Sequence, residues 1–314
     1  MERMTFASGG LIQASDYNGF VGADPTTTAG TLNRVWGIGN NDAGYGQTAV
    51  AQVSAGNTVT AAQWASLINN LNNAYKHSIS TAGTGLSAPT AGSRILFIST
   101  LAGYLTDIYN NRLNDTGNGT STTFSSSYAQ SAAGGTASTA SATRTVTFSS
   151  VDACRYFWNA GGEITFDVTS VTNNDGTSRS ASIVTLANTN FNAKTVKARS
   201  ANARTGSGGA AVTDITASGF YNLVTTYTTF FNATGQTYPY TGDSCTYRLL
   251  TNGTAGSYSG NGNIITLYFE TISGSTGTST PTSDAMNVTV NYTITVLYPE
   301  TTYLTNSWGT ATIA

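Results

Sequence analysis

Residues 151–168 read VDACRYFWNAGGEITFDV, and the fold turns on how this stretch is divided. It follows RTVTFSS (144–150), where apolar and hydroxyl side chains alternate as in a half-buried strand. Ser149 or Ser150 can cap a short helix over residues 151–157, with Asp152 near its positive end. Asn159-Ala160-Gly161-Gly162 then supplies a left-handed exit, and EITFDV leaves as a second strand. On this reading the stretch is a structural corner rather than a catalytic pocket. Cys154 becomes a buried, inert thiol, with no nearby His or Lys to lower its pKa.

Downstream of the corner the two-residue period recurs. EITFDVTSV (163–171), CTYRLLT (245–251), IITLYFETI (264–272) and MNVTVNYTITVLY (286–298) carry Val, Ile, Phe and Tyr on one side and Thr and Asn on the other. Asn174-Asp175-Gly176 is a tight-turn signal that would return the strand ending near Val171. GFYNLVTTYTTFF (219–231) fits a strand or a loop edge equally. These spacings predict an antiparallel β-sandwich over residues 144–314.

Upstream the period is helical. In TAAQWASLINNLNNAYKH, Thr60 and Gln63 have capping-box spacing, and Trp64, Leu67, Ile68, Leu71 and Tyr75 form one stripe. A second stripe runs through Ile98, Leu101, Leu105, Ile108 and Tyr109, after a loop marked by Pro89 and Gly92. A weaker helix opens near Ser15-Asp16 and resumes through Leu32 and Trp36. Residues 1–113 are therefore expected to form a small helical domain. The Ser/Gly/Thr/Ala-rich stretch 114–143 is expected to be a flexible linker. The fold class is α+β.

Composition narrows the function. Only 9% of the 314 residues are charged, against about 25% in ordinary soluble domains, so Thr, Ser, Asn and Gly must keep the surface wet. A net charge of −2 gives no footprint for nucleic acid, and no apolar run is long enough for a membrane span. No signal-peptide pattern opens the chain, and Cys154 and Cys245 do not make a secreted disulfide framework. An outward-facing composition without an export segment is what a virion protein requires, since it folds in the host cytoplasm and leaves by lysis.

Chemistry-bearing residues are sparse. His77 is the only histidine, which removes Ser-His-Asp triads and multi-histidine metal sites; at the end of its helix it is expected to favour the helix dipole. GIGNNDAGYGQ (37–47) is neither a dinucleotide fingerprint nor a Walker loop, and Asn40, Asn41 and Asp42 lack Ca-loop spacing. The chain is read as no enzyme, with no catalytic residues, no cofactor and no metal. Asn252-Gly-Thr and Asn287-Val-Thr are taken as chance triplets.

Three blocks carry a resemblance. Asp42, Gly44, Tyr45, Gly46 and Gln47 form D-x-G-Y-G-Q; Trp64 and Leu67 belong to T-A-x-x-W-x-x-L. Asp152, Ala153, Arg155, Tyr156, Phe157, Asn159, Ala160, Gly161, Gly162 and Ile164 form D-A-x-R-Y-F-x-N-A-G-G-x-I. Together they resemble virion structural proteins of tailed phages, carried by cyanophages and other aquatic phages as fibre-like tail proteins. DPTTTAG (24–30) interrupts the first helix, and the segment from Thr301 on has no counterpart in that group. The resemblance implies a homo-oligomer, with a trimer favoured by analogy with fibres, contacting neighbouring tail, neck or baseplate proteins. The rival expectation is a glycan-binding adhesin or receptor-binding domain, with Tyr238, Tyr240, Tyr258 and Trp308 stacking on host-surface sugars. A polysaccharide-degrading enzyme is a third class, disfavoured by the lack of paired acidic motifs and β-helix repeats.

Overall fold

A computed structural model describes residues 13–25, 30–39, 43–92, 98–117, 119–191, 194–199, 211–214, 219–235, 239–253, 262–274 and 284–314. The fold is α+β: helices come first and an antiparallel sandwich follows. The chain divides into two compact units, and the division is not the one expected from composition. The first comprises Met1–Thr120, Asp152–Gly162 and Tyr298–Gly309; the second comprises Ser121–Val151, Glu163–Leu297 and Thr310–Ala314.

In the first unit, α1 (Ala14–Val21) starts one or two residues earlier than Ser15-Asp16 suggested. Gln13 is the N-cap, and Asp16 reaches back to accept from the Gln13 backbone N–H at 2.8 Å. Gly22 ends the helix at φ 73°. Residues 32–37 make only isolated helical turns, because Asn33 is drawn into another task. Its side-chain amide donates to the Gly22 and Val50 carbonyls and accepts from Val50 N–H, all within 2.9 Å. Asn18 makes the same two-way contact with Val53. An amide side chain offers a donor and an acceptor side by side, so it can stand in for a strand neighbour along the extended segment 47–53.

Helix α2 (Ala61–Ser78) carries the expected Thr60–Gln63 capping box and buries Trp64, Leu67, Ile68, Leu71 and Ala74. Tyr17 of α1 meets Trp64 edge-on at 5.4 Å, while Tyr75 lies half-exposed against Tyr104 of α3 (Ile98–Asn111). Leu101, Leu105 and Ile108 are the buried stripe of α3.

The second unit begins inside the stretch expected to be a linker. Residues 114–143 contain β1 (Ser121–Ala132) and most of β2 (Ser138–Thr147), so that expectation is corrected. The composition looks like a linker because one face of β1 is solvent-exposed Ser, Thr and Ala. Its other face carries Phe124, Tyr128 and Gln130, and every residue from Ser121 to Ala132 pairs with β9 (Met286–Leu297). After β2 the chain runs through α4 (Val151–Asn159), which belongs to the first unit from Asp152 on, and then enters β3 (Glu163–Asn173). Asn174-Asp175-Gly176 does not return the strand; Thr177 instead caps α5 (Ser178–Asn190). That helix was hidden by Ser, Thr and Asn at most positions, with Ile183, Leu186 and Ala187 as its buried stripe. Short β4 (Lys194–Val196) and β5 (Ala211–Asp214) follow, and the ambiguous 219–231 stretch resolves into a 3₁₀ turn and β6 (Thr228–Thr234). β7 (Ser244–Thr251), β8 (Ile264–Ser273) and β10 (Thr312–Ile313) complete the unit.

One sheet has the order β1-β9-β3-β4, the other β10-β2-β8-β7-β6-β5, and all pairings are antiparallel. Their inner faces meet through aromatic rings. Phe166 stacks on Tyr292 within the first sheet and meets Tyr247 of the second edge-on at 4.5 Å. Buried Gln130 bridges the sheets by donating to the Thr271 carbonyl and accepting from Thr271 Oγ1 at 2.7 Å.

Arg179 is the second unit's buried clamp. Its Nε donates to Ser273 Oγ at 3.0 Å, and its terminal nitrogens donate to the carbonyls of Ala133, Thr136 and Asp284. It thereby ties the β1–β2 turn to the end of β8 and the start of β9. Arg179→Leu leaves those buried acceptors without a donor, so chemical denaturation should show a loss of about 2–4 kcal/mol. Arg179→Lys should recover little of it, since an ammonium cannot fan out to four acceptors. Wild-type stability in the leucine variant would overturn this role.

Candidate functional site

Two sequence blocks that carry the resemblance, 43–47 and 153–162, come together in the first unit. The sequence corner is thus correctly read as a helix between strands, but its packing partners lie more than a hundred positions upstream. Asn159 Nδ2 donates to the Gly44 carbonyl at 2.9 Å, and Arg155 donates to the Ala43 carbonyl at 2.8 Å. The Arg155 guanidinium also lies 4.8 Å above the Tyr156 ring and pairs with Asp152 at 3.1 Å. Gly46, at φ 69°, lies flat against that ring; a Cβ there would come 2.5 Å from Tyr156. Asp42 of the same block lies outside the described residues.

The helix exit has the left-handed residue where glycine is needed. Gly161 has φ 87°, and a Cβ on it would stand 2.8 Å from the Asp115 backbone nitrogen. Gly162 is not left-handed; it is required because a Cβ would strike the Phe157 ring at 2.5 Å. The segment 298–309 closes the same joint. Gln47 donates to the Thr305 carbonyl at 2.9 Å and accepts from Thr305 N–H at 2.8 Å, and Ser307 Oγ donates to the Tyr45 carbonyl.

His77 is the centre of this arrangement, and its role differs from the one expected. It is fully buried, and a helix-dipole cation would need water or a stronger counter-charge. Nε2 lies 2.9 Å from the Ala160 carbonyl, which fixes the proton on that nitrogen. Nδ1 faces Asp115 Oδ1 at 3.6 Å, and the Tyr45 ring packs edge-on against the imidazole at 5.3 Å. Asp115 accepts from the backbone N–H groups of Gly117 and Glu300. Burial holds His77 below its ordinary value, against the pull of Asp115, and burial raises Asp115. Sequence reasoning had no signal for this: a lone histidine at a helix end looks the same whether its ring faces solvent or a carbonyl.

The joint positions backbone; its polar groups are turned onto one another. Cys154 is fully buried and burial pushes its thiol far above the ordinary range, so it is no nucleophile. Cys245 is buried likewise. Among the described residues no three His, Cys, Asp or Glu side chains gather where a metal could sit, and no helix is long and apolar enough to cross a membrane. A cleft in the second unit, lined by residues such as Val196, Leu223 and Phe230, has a cavity volume of about 10 Å³, room for about one water and far below the roughly 300–1,000 Å³ of small-molecule sites. Two rings expected to stack on sugars, Tyr240 and Trp308, are buried, which removes them from that role; Tyr238 and Tyr258 lie outside the described residues. Asn252 and Asn287 are occupied in hydrogen bonds at strand ends.

Comparison with protein-family models, curated proteins and solved structures gives no match for this chain.

Two outcomes follow from the joint. Gly161→Ala should lower stability by about 1–3 kcal/mol in thermal or chemical unfolding, since it meets both a left-handed backbone and a close carboxylate segment. An unchanged melting curve would mean that the exit turn relaxes freely. The second outcome concerns pH. Because His77 is lowered from 6.5 in the folded state, the unfolded chain binds the extra proton in the window between the two values. The stability His77 contributes is complete above about 6.5 and is lost as pH falls through that window. Asp115, raised by burial, contributes in the opposite sense and loses its share as pH rises. His77→Gln keeps a donor for Ala160, removes the histidine's own titration and frees Asp115 from its lowering influence, and both changes flatten the rise of stability with pH. Its unfolding free energy should therefore rise less steeply with pH just below about 6.5, by up to about 1.4 kcal/mol per pH unit. Equal slopes in both proteins would show that His77 keeps its ordinary affinity for protons.

Proposed function

We propose that the chain is a structural component of a tailed-phage particle, in the tail, neck or baseplate, and that it works assembled with other copies of itself. One observation carries the reading. The blocks that resemble phage virion proteins, G-Y-G-Q and A-x-R-Y-F-x-N-A-G-G, are the residues that lock one another in the joint. Their side chains hold backbone carbonyls, and their glycines permit close approach, which is what a scaffold needs from its most specific sequence. The sparse charge and the hydroxyl-rich strands fit a surface that packs against neutral neighbours.

The direct test is gel and mass-spectrometric analysis of purified particles of the phage that encodes the chain. The expected result is a band present in many copies per particle, labelled by antibody at one place on the tail, neck or baseplate. A chain found only free in the lysate, and absent from washed particles, would overturn the proposal.

A further inference from the structure

The outer face of the second sheet carries a side-chain cluster that neither the joint nor the sandwich core uses. On β7 and β8, Tyr247 and Phe269 are turned inward, where both meet Phe166 of the first sheet. Side chains alternate along a strand, so Thr246, Arg248, Tyr268 and Glu270 project outward. The pairing sets Arg248 beside Tyr268 and Thr246 beside Glu270, with Asn232 of β6 next to Thr246 and Ser141 of β2 next to Glu270.

These groups hold one another in fixed positions. Glu270 accepts from Arg248 Nη2 at 3.1 Å and from the Tyr268 hydroxyl at 2.7 Å. The Arg248 guanidinium lies 5.4 Å from the centre of the Tyr268 ring, and Thr246 Oγ1 donates to Asn232 Oδ1 at 2.7 Å. Tyr227, just before β6, brings a second ring to 5.2 Å from Tyr268, inclined by 48°. Tyr227 is 44% exposed, one of three large hydrophobic side chains so exposed among the described residues. Core packing does not account for it, since the rings of the sandwich meet on the opposite face.

We propose that this face binds a neutral polysaccharide. One sugar ring stacks on Tyr227, and the hydroxyls of that ring and its neighbours in the polymer bond to Arg248, Glu270 and Asn232. Three features select such a ligand. A pyranose offers a face of C–H groups that packs on an aromatic ring, and a rim of hydroxyls that need donors and acceptors side by side. A carboxylate accepts up to about four hydrogen bonds and a guanidinium donates about five, so the Arg248–Glu270 pair has capacity beyond its own contact. Charge is the second feature. The cluster holds one cation paired with one anion, which gives no net attraction for phosphate or carboxylate groups. The third is shape. Thr139, Ser141 and Thr143 beside the cluster are exposed and small, and an open face suits a polymer laid across it more than a small molecule that must be enclosed. The exposed apolar surface is that of one ring, too little for the apolar centre of a protein–protein interface. Tyr227 thus takes the stacking role that buried Tyr240 and Trp308 cannot.

The inference goes beyond the virion reading and does not depend on it. Its test is native affinity electrophoresis of the full chain through gels cast with dextran, mannan, galactomannan, xyloglucan or hydroxyethyl cellulose, with alginate as the acidic control. At least one neutral gel should retard the wild type, and the retardation should survive added salt. Tyr227→Ala should weaken that binding at least about tenfold. Tyr227→Phe keeps the ring and should keep most of the binding. Melting curves recorded for both variants separate loss of the ring from loss of the fold. Free migration of the wild type through every neutral gel, retardation by alginate alone, or binding indifferent to Tyr227→Ala would each overturn the proposal. So would an alanine variant that changes only the oligomeric state in light scattering, which would assign the face to a contact between copies. No particles enter this experiment, so its failure leaves the virion reading standing, and a chain absent from washed particles leaves the polysaccharide result unaffected.

Discussion

The carbonyl of Ala160 lies beside a fully buried imidazole, and the His77–Ala160 hydrogen bond sets the rest of the first unit in place. A buried carbonyl must have a donor, and here the donor comes from the end of another helix. Once that bond is made, Gly161 has to turn left-handed against Asp115, and Asp115 can receive the amides of Gly117 and Glu300. Thr116 adds its own backbone N–H and hydroxyl to the last carbonyls of α2, at His77 and Lys76. Four separated pieces of chain are thereby fixed by hydrogen bonds that begin at one ring nitrogen.

The same strategy recurs wherever regular pairing stops. Asn18, Asn33, Gln47, Gln130 and Asn159 each hold backbone atoms of a distant segment, four of them by donating and accepting at once. An amide has no charge to lose, so these contacts are indifferent to salt and to ordinary pH, unlike surface ion pairs. In a chain with so few charged residues, that leaves His77 and the buried carboxylates as the places where protons can alter stability. Arg179 is the counterpart in the sandwich, a single cation spread over carbonyls and a hydroxyl instead of paired with a carboxylate.

The regular parts of this architecture were legible in the sequence. Thr60 and Gln63 mark the start of α2 by the bonds they make, and the alternating Val, Ile and Tyr of β9 state which face is buried. Legibility failed where one side of an element carries small polar residues. β1 has only Phe124, Tyr128 and Gln130 to show its inner face, and α5 hides Ile183 and Leu186 among hydroxyls. The joint was half legible. R-Y-F-x-N-A-G-G read correctly as helix and exit turn, yet no local pattern can reveal that Asn159 addresses Gly44 or that Gly46 is kept bare for Tyr156. Those choices are made by three-dimensional approach and leave no period in the chain.

Gln47 and Thr305 are separated by 258 positions, and the Ser307–Tyr45 contact by 262. A ribosome therefore makes one half of this clasp long before the other. Until residues 298–309 emerge, the segment around Tyr45 and Gln47 lacks its closing partners, and the helices of the first unit wait through the synthesis of strands β1 to β9. Closing so wide a loop is slow rather than costly, because the entropy of closure grows only logarithmically with length. The order of synthesis thus acts as a timer: the joint completes last, after every strand from β1 to β9 already exists.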